Sequence, residues 1–76
     1  MSLVDHRTLE DILRSRYDFE TCDEPLKSEA KRRYEALLDK VLEGKLYSRL
    51  QLAEALAPRY REYSRAQRII ERRRQH

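Results

Sequence analysis

Arg61, Arg65, Arg68 and Arg72 fall at i, i+4, i+7 and i+11 near the C-terminus of this 76-residue chain. On a helix turning about 100° per residue, that spacing puts all four within about 60° of one another, along about 16 Å of the axis. A guanidinium is a planar, permanently charged fork of N–H donors that holds phosphate or carboxylate through paired bonds. A row of four is therefore suited to binding anions, over a length comparable with several phosphate spacings. Tyr63, Ala66 and Ile70 centre on the opposite side, so one helix can bury one face and present the other. Glu62 and Glu71 stand three residues from Arg65 and Arg68, close enough to neutralise part of the row.

Three readings compete for the arginine row. It is the solvated face of a surface helix, with Arg72, Arg73 and Arg74 favoured near a helix C-terminus by the dipole. Alternatively it binds nucleic acid, DNA or RNA, through Arg61, Arg65, Arg68 and Arg72. In the third reading it docks on an acidic protein surface. Tyr60 and Tyr63, beside Arg59 and Arg61, add flat rings to guanidiniums, a mixture favoured at interfaces and on nucleic-acid surfaces. Core and rim packing is the simpler reading of both rings.

Nothing else in the chain has the spacing of a reactive site. His6 and His76 lie at opposite ends, and His6 belongs to the exposed first turn of a helix. Cys22 is the only cysteine, and its neighbours Asp23 and Glu24 oppose thiolate formation. The cluster Asp18, Glu20, Asp23 and Glu24 lacks the alternating ligands and central glycine of a calcium loop. The expectation is a non-enzymatic binding module without metal or cofactor.

Composition bounds what can hold such a helix in place. Charged residues make up 41% of the chain and hydrophobic ones 39%, with a net charge of +3. That is enough apolar material for one small helical domain spanning residues 1–76, with no disulfide to help it. No apolar run approaches the ~18 residues needed to span a bilayer and no signal-peptide pattern is present, so a cytoplasmic, non-membrane protein is expected. Residues 1–38 carry seven basic and nine acidic residues, whereas residues 39–76 carry ten and five. The acidic and basic halves invite pairing between chains, and with so small a core a salt-sensitive homodimer is expected.

One glycine, two prolines and almost no strand-like alternation predict an all-α fold. The periodicity predicts a small four-helix bundle-like domain, with helices over about 5–17, 25–43, 48–57 and 59–75. Asp5 caps the first, with Val4 and Leu9 spaced as a hydrophobic staple, and Leu9, Ile12, Leu13 and Tyr17 share its apolar face. Asp18 to Glu24 reads as a connector. Pro25 suits the start of the second helix and Gly44 a left-handed cap at its end. Ser48 and Gln51 form a Ser-x-x-Gln capping box for the third, with Tyr47 and Leu52 as its staple, and Pro58 disfavours helix at Ala57. The last helix opens either at Pro58 or at Ser64, which heads a second Ser-x-x-Gln box with Gln67. The expected core is Leu9, Leu13, Tyr34, Leu37, Leu38, Val41, Leu52, Leu56, Tyr63 and Ile70.

The run Leu52-Ala53-Glu54-Ala55-Leu56-Ala57, followed by Ser64-Arg65-Ala66-Gln67-Arg68-Ile69-Ile70, resembles the two helices of helix-turn-helix DNA-binding domains. The resemblance covers residues 48–75. It implies that the second helix lies in the major groove, with Arg65 and Arg68 approaching DNA and Ser64 capping the helix near a phosphate.

Overall fold

The structure, a computed structural model, describes residues 5–74. Among them are three helices and no strand: α1 (His6–Thr21), α2 (Leu26–Leu42) and α3 (Arg49–Arg74). The expected Val4–Leu9 staple and the residues past 74 lie outside the described residues.

Local capping chemistry sets several helix ends. Asp5 accepts the Thr8 backbone N–H at 2.9 Å, satisfying a donor that the first turn of α1 would leave unpaired. Hydrogen bonds from Thr8 also hold the Asp5 carboxyl below its ordinary range. At the end of α2, Gly44 takes φ +75°, the left-handed conformation that a glycine adopts without cost. The Ser48 box is closed in both directions: the Ser48 N–H donates to Gln51 Oε1 at 2.8 Å, and the Gln51 N–H to Ser48 Oγ at 3.1 Å. Arg49, in the first turn of α3, then forks onto Asp39 of α2 at 2.6 and 2.8 Å and reaches Glu35 at 3.2 Å. This ties the start of α3 to α2.

Two expected boundaries are wrong, and in both places packing overrides a local signal. Helix α1 runs through Asp18 to Thr21 instead of ending at Tyr17. Its last turn has partners: Phe19 packs on Tyr34 with ring centroids 5.3 Å apart, and the Thr21 hydroxyl donates to the Tyr17 carbonyl at 2.7 Å. The expected third and fourth helices are one, so the described residues form three helices rather than four. Helix α3 passes through Pro58 without a break. Residues 58–63 therefore form no turn, and the two stretches that carry the resemblance to a helix-turn-helix pair lie on one continuous helix. Ser64 is not a cap either: it lies inside α3 and its hydroxyl donates to the Arg61 carbonyl at 3.2 Å.

A proline inside a helix costs about 3 kcal/mol through a lost backbone bond and a clash with the preceding turn. Leu52, Leu56, Tyr60 and Tyr63 nevertheless share one face of α3, and the first three are buried. A break at Pro58 would carry Tyr60 and Tyr63 off that face. Covering an aromatic side chain removes about 150–250 Å² from water at about 25 cal/mol per Å², so seating Tyr60 alone offsets the penalty.

The core has two parts. Ile12, Leu38, Leu52 and Leu56 join all three helices, with Leu9, Tyr34, Leu37, Val41 and Leu42 packed around them. Leu13, Tyr17 and Tyr60 form the second cluster, flanked by Leu9 and Tyr63. Ile70, expected in the core, is 42% exposed. At 1.5 Å per residue α3 is about 39 Å long, against about 24 Å and 26 Å for α1 and α2, so its last turns are left largely uncovered, although Glu71 still reaches Tyr17 of α1.

Candidate functional site

Continuity of α3 places Arg61, Arg65, Arg68 and Arg72 on one unbroken helix, and all four are exposed. By helical rotation their row centres roughly 150° from the face carrying Leu52, Leu56, Tyr60 and Tyr63. None of the four pairs with a carboxylate among the described residues. Of the two flanking glutamates, Glu71 turns away and accepts the Tyr17 hydroxyl at 2.9 Å. Glu62 lines a cleft between α1 and α3 instead, with His6, Glu10, Arg14 and Arg59 among its walls. Residues 59–74 carry seven arginines and two glutamates, and from Arg68 to Arg74 every residue is exposed.

Tyr60 and Tyr63, the expected interface rings, are placed elsewhere. Tyr60 is only 8% exposed; its hydroxyl donates to Glu20, and the Arg16 guanidinium stacks 4.1 Å from its ring centroid. Tyr63 is half-buried, edge-on to Tyr17 at 6.1 Å. These rings orient the row rather than join it. Tyr60–Glu20 and Tyr17–Glu71 are hydrogen bonds between α1 and α3, and they fix how α3 is rotated and hence where its outer face points. Sequence reasoning missed both ties, because the partners stand 40 and 54 residues apart.

Burial is the largest cause raising the Tyr17, Tyr60 and Tyr63 hydroxyls above their ordinary pKa of 10.0, and the bonds to Glu71 and Glu20 add to it for Tyr17 and Tyr60. Arg68 works the other way, its positive charge favouring both phenolates. Because the folded state holds these protons more tightly than the unfolded chain does, their contribution to stability is complete below about pH 10 and is lost as pH rises further. In an alkaline titration, phenolate absorbance from these three residues should appear together with loss of helical circular dichroism. Phenolate formation by all three in a fully helical protein near pH 10 would contradict the burial.

The remaining candidates stay apart. His6 is exposed and faces Glu10 at 3.0 Å, and Cys22 is a half-buried free thiol at the C-terminal cap of α1. No three His, Cys, Asp or Glu side chains converge as metal ligands among the described residues, and no described helix is long and apolar enough to cross a membrane. Comparison with protein families, curated proteins and solved structures finds no match to this chain.

Proposed function

We propose that the protein is a non-enzymatic binding module whose α3 binds nucleic acid through Arg61, Arg65, Arg68 and Arg72. The observation that carries this reading is the absence of any carboxylate partner for the four exposed guanidiniums among the described residues, although Glu62 and Glu71 are adjacent in sequence. Phosphate is favoured over an acidic protein surface because Tyr60, the aromatic anchor a protein interface would use, is buried inside the chain. Double-stranded DNA is favoured over double-stranded RNA on shape. A helix with its side chains is about 10–12 Å across and the DNA major groove about 12 Å wide, whereas that of RNA is deep and narrow. The exposed last turns of α3 enter as a single helix, with no partner helix needed.

Four phosphate contacts predict a slope of log affinity against log salt near −3.6, hence a roughly 150-fold loss between about 50 and 200 mM salt. A titration against mixed-sequence duplex DNA and RNA at these two concentrations tests this. Arg65→Ala with Arg68→Ala should bring the slope to about −1.8. No binding to either duplex at low salt would overturn the proposal and leave a solvated face or an acidic protein surface as the readings of the row.

A further inference from the structure

Where α2 gives way to α3, a groove of about 210 Å³ is lined by Val41, Leu42, Tyr47, Leu52 and Ala55, among others. Beside it Leu46 is fully exposed, Leu50 69% and Tyr47 55%. A solitary exposed leucine is ordinary, but three large apolar side chains within five residues, next to an apolar groove, form a patch of the kind that marks an interaction site.

Charge indicates what covers it. Residues 39–55 carry Asp39, Glu43 and Glu54 against Lys40, Lys45 and Arg49, a net charge of zero, whereas residues 59–74 carry +5. Two copies can therefore bring these corners together without the repulsion that would oppose contact between their arginine-rich ends. Each corner also carries exposed charges of both signs, Lys40 and Glu54 among them, so it can match a second copy of itself. It carries a protruding leucine and an apolar groove side by side, so a two-fold arrangement can fill both grooves at once.

We propose that the α2–α3 corner is a homodimer interface in which Leu46 of each copy seats in the groove of the other, with Tyr47 and Leu50 around it. The inference is independent of the nucleic-acid reading. Arg61 lies eleven residues beyond Leu50, three turns and about 16 Å further along the same side of α3, so the residues named in the contact end before the arginine row begins. The contact buries apolar surface, which distinguishes it from pairing between the acidic and basic halves of the chain, a contact that salt would dissolve.

Sedimentation velocity from low to high micromolar protein, at low and at molar salt, provides the test. The expected result is a concentration-dependent dimer that survives molar salt. Leu46→Lys with Leu50→Lys should weaken it at least about tenfold, and Ala55→Phe, which fills the groove, should act in the same direction. Both leucines are exposed, so an unchanged helical circular dichroism spectrum separates lost association from lost folding. A monomer at every concentration would overturn the proposal. So would a dimer that dissolves in salt and ignores the leucine changes, or one that tolerates Ala55→Phe.

Discussion

Ile12→Ala should leave much of the protein unfolded at 25 °C. Ile12 is 1% exposed at the centre of the cluster that joins the three helices, with Leu38, Leu52 and Leu56 around it. Truncating such a residue to alanine costs about 2–5 kcal/mol, and a core in a chain this short supplies rarely more than about 3–5 kcal/mol in all. Neither a disulfide nor a metal cluster among the described residues is available to make up the difference. Ile70→Ala is the matched control: Ile70 is 42% exposed, and its loss should change stability by no more than about 0.5 kcal/mol. Urea denaturation followed by circular dichroism measures both. Equal effects of the two substitutions would contradict the packing of α3 on α1 and α2.

What the sequence made legible is what short-range chemistry controls. The apolar face of Leu9, Ile12, Leu13 and Tyr17, the left-handed Gly44 and the Ser48–Gln51 box depend on residues within a few positions of one another, and each appears in the structure. The length of α3 was not legible. Ala57 before Pro58 reads as a helix end and Ser64 with Gln67 as a helix start, and only the burial of Tyr60 against α1 decides otherwise. The same distant packing removed the turn that a helix-turn-helix pair needs. Ile70 has the period of a core residue, but whether α1 extends far enough to cover it is not written in its own neighbourhood.

The arginine row is a mixed case. Its angular alignment follows from residues 61–72 being helical, which holds if the helix opens at Pro58 or Arg49, and for Arg65, Arg68 and Arg72 even if it opens at Ser64, so most of the row could be read from spacing. Its lack of carboxylate partners could not. Glu71 sits three residues from Arg68, as a helical ion pair would, yet it accepts the Tyr17 hydroxyl across the interface with α1. Tyr60 and Tyr63 likewise have the composition of a binding surface, and the structure uses them to seat α3.

The proposed function rests on one face of α3 rather than on its overall charge, and that distinction can be measured directly. Arg61, Arg65 and Arg72 belong to the row; Arg59, Arg73 and Arg74 stand on the same stretch of helix but off it. Removing either set takes three positive charges from the same segment. The two triple-alanine variants, compared with the parent protein for binding to duplex DNA across a salt series, separate a built face from diffuse attraction. Loss of the row should lower the magnitude of the salt slope by about 2.7 and abolish measurable binding near 200 mM salt, whereas the off-row variant should stay within about one unit of the parent slope. Equal losses from the two variants would contradict the assignment of the anion-binding face to Arg61, Arg65, Arg68 and Arg72.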